Sequence, residues 1–278
     1  MNFPLFMICS ALVCGLVRGA ELKTDIDYGR PSAGAETLRL DASVPDGKGP
    51  FPVAVVVHGG GWNSGDKQRE ITVLFGPLTK ADFTWFSINY RLAPTNRWPA
   101  CFDDVQTALR WVKSHARDYK GDPNRIALIG YSAGGQLACQ AAVLARPDTR
   151  VQAVVGIAAP TDLVAETERR GGLSKSLKDL LAQENLDDKV KATLGEMSPI
   201  NHVAPGLPPF LLIHGTMDKA VPYQQSLNFQ AKLKEIGVPC DIITITNAPH
   251  NITTWETLDT SYKEEMVLWL KRALGGVK

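Results

Sequence analysis

Residues Ala127 to Gly135 read ALIGYSAGG, and the rest of the chain is best read outward from them. Leu128 and Ile129 close a short apolar run, Gly130 to Gly134 has the form GxSxG, and Gly135 opens a segment of helical character. A strand that turns at once into a helix needs a nearly bare backbone around the turn, so glycines flank a serine whose hydroxyl is pushed outward. Ser132 is therefore the candidate nucleophile.

Arg125 to Ile129 is the strand that feeds this turn, and Leu137, Ala138, Ala141 and Leu144 form the buried face of the helix after it. Upstream, Pro52 to Val57 is a valine-rich run of the kind buried on both faces, and it empties into His58-Gly59-Gly60-Gly61-Trp62. Phe83 to Asn89 is another strand, followed by Tyr90-Arg91-Leu92-Ala93-Pro94. Leu38, Leu40, Ala42 and Val44 alternate with Arg39, Asp41 and Ser43, as in an amphipathic strand near a sheet edge. Asp66 to Lys80 has helical spacing interrupted at Gly76-Pro77, and Phe102, Val105, Leu109 and Val112 make a further helix face.

Val151 to Ala158 is a sixth strand-like run. The most polar section, Thr161 to Val203, follows it, with short helices expected over Lys175 to Leu181 and Leu186 to Leu194. Phe210 to His214 and Cys240 to Thr246 read as strands, Pro222 to Ile236 as a helix, and Trp255 to Leu274 as a terminal helix stopped by Gly275-Gly276. Strands that alternate with crossover-length helices predict an α/β fold with a mostly parallel central sheet and helices on both faces. Residues 21–278 are expected to form one domain, with 161–203 as a short, lid-like insertion after the sixth strand.

With 278 residues, 44% of them hydrophobic, the chain can build one large core. No Pro/Gly/Ser-rich linker divides it. Thirty basic and 29 acidic residues give a net charge of +1 without a basic stripe, so nucleic acid is not an expected partner. Met1 to Ala20 is strongly apolar and ends in the small residues Gly19 and Ala20, the composition of a cleaved signal peptide. A secreted or periplasmic protein, without stable membrane insertion after cleavage, is the expectation. No lysine or arginine precedes the apolar core, so a short membrane anchor or a buried helix is the competing reading. Beyond the leader Cys101, Cys139 and Cys240 remain; buried free thiols are the ordinary outcome, with one disulfide among them possible.

A serine hydroxyl is a poor nucleophile at neutral pH and needs a base in hydrogen-bond reach, with an acid to hold that base in one tautomer. Of the five histidines, His115 reads as a helix-end residue, and His202 belongs to the polar insertion. His214 ends a strand, where a structural hydrogen bond is expected, and His58 braces the glycine loop. His250 lies between the last strand and the last helix, free to reach over the sheet, and is the candidate base. Asp218, just past the Phe210 to His214 strand, is the candidate acid; Asp162 is its rival, and Asp241 lies at the wrong end of the sheet. The amides of Ala133, Gly60 and Gly61 are the candidate donors to a developing oxyanion. Neither a Walker lysine pattern, nor GxGxxG opening a helix, nor HExxH occurs, so no cofactor and no metal is expected.

The pieces HGGGW at 58–62, NYRLAP at 89–94, GYSAGG at 130–135, and the Asp218 and His250 loops, in that order, resemble the α/β-hydrolase superfamily. More narrowly they resemble its hormone-sensitive-lipase-like and small carbohydrate-esterase-like acetyl esterases, over nearly all of the chain from about Leu38 onward. The resemblance implies the α/β-hydrolase fold, a triad of Ser132, Asp218 and His250, an oxyanion hole from Gly60, Gly61 and Ala133, and ester hydrolysis through an acyl-enzyme. Tyr131 stands where the lipase-like group usually has an acidic residue, and the region before Leu38 is too short for that group's helical cap. Both departures point to smaller secreted esterases of the acetylxylan or feruloyl kind, with a small-molecule or polysaccharide ester as substrate. A peptidase or arylformamidase using the same triad is the alternative. Trp62 is read equally as a wall of the substrate pocket or as core, and the Arg169-Arg170 run as solvated.

Overall fold

The computed structural model describes residues 19–31 and 36–275. All of the leader reading except Gly19 and Ala20 lies outside these residues. One sheet of eight strands runs through the molecule: Ala20–Gly29 (β1), Leu38–Pro45 (β2), Phe51–Val57 (β3), Thr84–Ile88 (β4), Gly121–Tyr131 (β5), Ala153–Ile157 (β6), Phe210–Gly215 (β7) and Cys240–Ile245 (β8). Their order is β1-β2-β4-β3-β5-β6-β7-β8. Strands β3 to β8 are parallel to one another, and only the β1/β2 and β2/β4 pairs are antiparallel.

The helices are Phe75–Lys80 (α1), Ala100–His115 (α2), Ala133–Val143 (α3), Leu163–Arg170 (α4), Lys175–Leu181 (α5), Asp188–Glu196 (α6), Gln224–Glu235 (α7) and Ser261–Ala273 (α8). Successive strand residues point to opposite faces, so each apolar strand feeds two cores. Val53, Val55, Val57 and Leu128 pack with Leu109 of α2, Leu137 of α3 and Phe229 of α7. Ala54, Val56, Ala127 and Ile129 pack on the other face with Leu78 of α1 and Tyr262, Met266 and Leu270 of α8. This is the α/β-hydrolase arrangement, a mostly parallel sheet covered on both sides. Among the described residues no helix is long and apolar enough to cross a membrane.

One sequence expectation is corrected at the antiparallel end. Leu38 to Val44 lies near the sheet edge as its alternation predicts, with β1, a strand the sequence reading did not name, outside it. The polar side of β2, however, is not solvated: Asp41 and Ser43 are buried. Lys67 folds over Asp41, with Nζ 2.9 Å from its Oδ1 and 3.1 Å from Asp25 on β1. The loop that follows the glycine turn thereby ties down the sheet edge. Helix boundaries move for local reasons. Glu70–Leu74 is a 3-10 turn, and α1 starts at Phe75, which leaves Pro77 in the first helical turn where a missing N–H costs little. Ile252–Thr257 is likewise a separate 3-10 turn before α8.

The segment between β6 and β7 forms α4 to α6, whose N-termini are capped by Asp162, Ser174 and Asp187. It is fastened to the body. Gln136 and Gln140 on α3 donate to the carbonyls of Met197 and Glu196, each at 2.7 Å. Asn63 of the glycine loop donates to Asp179 of α5 at 2.9 Å. Cys101, Cys139 and Cys240 are free and buried, and burial pushes the Cys101 and Cys240 thiols up to about 12.

Lys67 and Asp41 have side chains only 5% and 3% exposed. Removing one partner of such a pair strands a buried charge. Lys67→Met is expected to lower unfolding free energy by about 3–5 kcal/mol in urea titrations. A loss within the range of an exposed ion pair, below about 1 kcal/mol, would contradict this account of the sheet edge.

Candidate active site

The turn from β5 into α3 holds Ser132 at φ 53° and ψ −121°, a conformation that costs a non-glycine residue about 1–3 kcal/mol. Its neighbours explain how the turn is tolerated. A Cβ on Gly130 would lie 2.0 Å from the carbonyl oxygen of Gly134, and a Cβ on Gly134 would lie 2.3 Å from that of His58. Only bare backbone lets β5, α3 and the His58 loop approach so closely. The Ser132 amide donates to Ile157 at the end of β6 at 2.8 Å, and its carbonyl accepts from Gln136 at 3.0 Å to start the helix.

The structure brings His250 to this serine and Asp218 to His250. Imidazole Nε2 is 2.9 Å from Ser132 Oγ, and Nδ1 is 2.6 Å from Asp218 Oδ2. A carboxylate can only accept, so Nδ1 carries the proton and Nε2 faces the hydroxyl as an acceptor. The three side chains come from the turn after β5 and the loops after β7 and β8, all at the carboxyl end of the parallel strands.

Each partner is separately fixed. Tyr131, the residue before the serine, donates its hydroxyl to the His250 carbonyl at 2.9 Å, and its ring stacks on the imidazole with centroids 5.5 Å apart. Trp255 Nε1 donates to the Pro249 carbonyl at 2.7 Å. Asp218 Oδ1 accepts from the amides of Ala220 and Val221, each at 2.8 Å, which leaves Oδ2 for the imidazole. Burial pushes the Asp218 carboxyl up, but hydrogen bonds from His214 and His250, the charge of His250 and the Val221 amide outweigh it and hold the group well below the usual carboxylate range. Asp218 is thus ionised throughout the neutral range.

Gly60, Gly61 and Ala133 line the same cavity as Ser132. Gly60 has φ 106°, and a Cβ there would meet the Ser64 carbonyl oxygen at 2.1 Å. The loop is closed by Ser64 and Asn63 amides donating to the Gly60 carbonyl at 3.0 and 3.2 Å. Ala133 is the first residue of α3, so its amide has no intrahelical acceptor. Behind the loop, His58 Nδ1 donates to the Gly59 carbonyl at 2.7 Å, while its ring stacks on Tyr90 at 4.3 Å. Burial pushes the His58 imidazole down to about 4, so it is a neutral brace.

The other candidates are occupied elsewhere. Asp162 caps α4 through a 2.9 Å bond from the Ala165 amide. Asp241 accepts from Trp269 Nε1 at 2.8 Å. His115 is bonded to the Trp111 carbonyl and His202 to the Glu196 carbonyl, at 2.9 and 2.8 Å. Trp62 combines its two readings: it is 5% exposed with Nε1 donating to Gln136 Oε1 at 3.0 Å, and it also lines the cavity. The sequence reading missed the place of Arg170, and it gave His214 a structural hydrogen bond without naming Asp218 as its partner. His214 reaches Asp218, with Nε2 3.2 Å from its Oδ2. Arg170 is not part of a freely solvated run; it lines the cavity and, with Arg169, pairs with the buried Glu166. Among the described residues no group of three or more His, Cys, Asp or Glu side chains is arranged to hold a metal.

The cavity measures about 410 Å³. Trp62, Pro160, Leu163, Leu177 and Val221 supply apolar lining, while Glu70, Glu166, Arg170, Ser174, Ser176 and Asn251 supply polar lining.

Comparison with known proteins agrees with this architecture. The chain is 32% identical over 199 residues to the probable carboxylic ester hydrolase LipM of Mycobacterium tuberculosis, covering 68% of this chain and 46% of that protein. It is 33% identical over 200 residues to esterase LipC of the same organism, covering 68% and 49%. The chain therefore spans about half the length of these curated relatives. Among solved structures, a truncated form of a carbohydrate esterase from gut microbiota superposes with a TM-score of 0.80 at 25% identity, covering 92% of this chain and 96% of that one. The acetyl ester-xyloside bifunctional hydrolase from Caldicellulosiruptor lactoaceticus gives a TM-score of 0.76 at 25% identity, covering 95% and 100%. The family model described as BD-FAE matches residues 40–233, well over half of the chain. The chain belongs to the BD-FAE family of the α/β-hydrolase superfamily.

Proposed function

We propose that this protein is a serine carboxylesterase that removes short acyl groups, acetyl above all, from carbohydrate or small alcohols. The observation that carries the reading is the unbroken series of hydrogen bonds from Ser132 Oγ through His250 to Asp218, at 2.9 and 2.6 Å, opening on a cavity. Ser132 attacks the acyl carbonyl while His250 Nε2 takes its proton, and ionised Asp218 stabilises the imidazolium. The amides of Gly60, Gly61 and Ala133 receive the oxyanion, each such donor contributing about 3 kcal/mol to the transition state. His250 then protonates the leaving alcohol, and a water activated by the same ring releases the acid.

Substrate size and polarity follow from the walls. A cavity of about 410 Å³ has to hold both the acyl group and part of the alcohol, which favours a short acyl chain. Arg170, Ser174 and Ser176 on the insertion side offer hydrogen bonds to a hydroxyl-rich alcohol. The names of the similar carbohydrate esterase and acetyl ester-xyloside hydrolase support the same class. Export to the periplasm or medium, proposed from the apolar Met1 to Ala20 stretch, suits an enzyme acting on polysaccharide.

With p-nitrophenyl acetate as substrate, Ser132→Ala is expected to lower kcat by up to about 10⁶-fold, and equal rates in wild type and variant would remove Ser132 as nucleophile. Asp218→Asn keeps the shape but disfavours the useful tautomer, so kcat should fall by about 10⁴-fold; a variant with wild-type kcat would remove the acid's role. In a panel that includes acetylated xylan and p-nitrophenyl esters of rising chain length, kcat/KM is expected to be highest for acetyl. A preference for long acyl chains would contradict the small-acyl assignment.

A further inference from the structure

We propose that His214 is a positioning residue for the acid of this site, donating a second imidazole N–H to the Asp218 oxygen that holds His250. The proposal rests on the esterase reading above and extends the relay inward by one ring. His214 is the fifth residue of β7 and is fully buried. Its Nε2 faces the Val221 carbonyl at 2.9 Å and Asp218 Oδ2 at 3.2 Å. Its Nδ1 lies 2.7 Å from Ser226 Oγ on α7.

The protonation pattern follows from the chemistry of the neighbours. Both atoms facing Nε2 are acceptors, so Nε2 must carry a hydrogen, which it shares between carbonyl and carboxylate. Ser226 can donate or accept, and in the neutral ring it donates to the bare Nδ1. The edge-on Tyr223 ring, 5.7 Å away at 79°, closes another side of the imidazole.

Asp218 then has every accepting direction used. Oδ1 takes two backbone amides, and Oδ2 takes one N–H from each histidine. The carboxylate is fully buried and cannot rotate without breaking these bonds. Oδ2 therefore stays aimed at His250 Nδ1, which keeps Nε2 of that ring free for Ser132. At 3.2 Å the His214 bond is longer than the 2.6 Å bond to His250, so it directs the oxygen while leaving most of its basicity for the catalytic ring.

Deleting the His214 donor should leave Oδ2 freer to turn and more basic. An oxygen that is more basic holds the His250 proton more tightly, so the acid limb of kcat/KM should move to higher pH. The other charged or titratable groups around His250 are Tyr131 against its ring, and Glu70, Glu166 and Arg170 along the cavity. Among the described residues His214 bonds to or stacks on Ser226, Asp218, Val221 and Tyr223 and on none of these groups, so a His214 substitution leaves their contribution to the profile in place.

The first test is made on wild-type protein without substrate, by ¹⁵N NMR of labelled histidine. His214 is expected to be protonated at Nε2; a ring bare at Nε2 would overturn the proposal. The second compares His214→Gln, whose amide N–H replaces the donor, with His214→Phe, which keeps the ring and removes it. His214→Phe is expected to lower kcat by about 10- to 100-fold with KM unchanged and the acid limb displaced upward, while His214→Gln restores most of both. A folded His214→Phe with wild-type kcat and pH profile would overturn the proposal, as would a glutamine variant as impaired as the phenylalanine one. If the phenylalanine variant does not fold, the NMR result decides. Because that measurement needs no turnover, a wild-type protein inert toward esters would refute the esterase reading without touching the His214 bond.

Discussion

The strained turn at Ser132 is the constraint to which the rest of the molecule is fitted. A serine at φ 53° persists only where its surroundings over-determine it. Here they do so from three directions: the amide bonded to β6, the helix starting from the serine's own carbonyl, and the His58 loop packed against bare Gly134. The same crowding aligns the pieces that surround the hydroxyl. Residue 131 must point away from the turn toward the His250 loop, and a tyrosine there clasps that loop by its carbonyl. The strained turn thus helps to place His250 as well as Ser132.

Around this turn the polar groups are arranged so that few have a second choice. Asp218 is held on one oxygen by backbone and on the other by rings. The glycine loop is closed on its own carbonyl, braced by neutral His58 and Tyr90, and tied to α5 through Asn63. The helices over the cavity are fastened to the nucleophile helix by two glutamines. Hydrogen-bond donors fixed in advance need little reorganisation when charge develops, which is where much of the rate enhancement of such sites resides. The cavity and the helices over it are thereby held in place together.

The parts of the fold visible in the sequence are those set by local rules. Valine runs covered on both faces marked β3 and β5, and the glycines around Ser132 marked the turn, because close backbone approach admits no other residue. His250 and Asp218 could be singled out from loops that follow strands, since a parallel sheet brings those loops to one end. What was hidden depends on long-range packing. Strand β1 alternates Ala20, Leu22, Ile26 and Tyr28 with charged residues, but Leu22 is left exposed and the register against β2 is broken twice. Asp41 looked solvent-facing by alternation and is buried because Lys67, 26 residues later, folds over it. His214 and Arg170 lie on elements that were recognised, yet the direction of their side chains is set by α7 and by the acid loop rather than by sequence period.

The central claim is that Ser132 is a nucleophile activated by His250. It is tested most directly by reacting the protein with a fluorophosphonate, which modifies only activated serines, and locating the adduct by peptide mass spectrometry. The account predicts one adduct, on Ser132, formed rapidly in wild type and lost in His250→Ala. No adduct on Ser132, or labelling that persists unchanged without the imidazole, would contradict it.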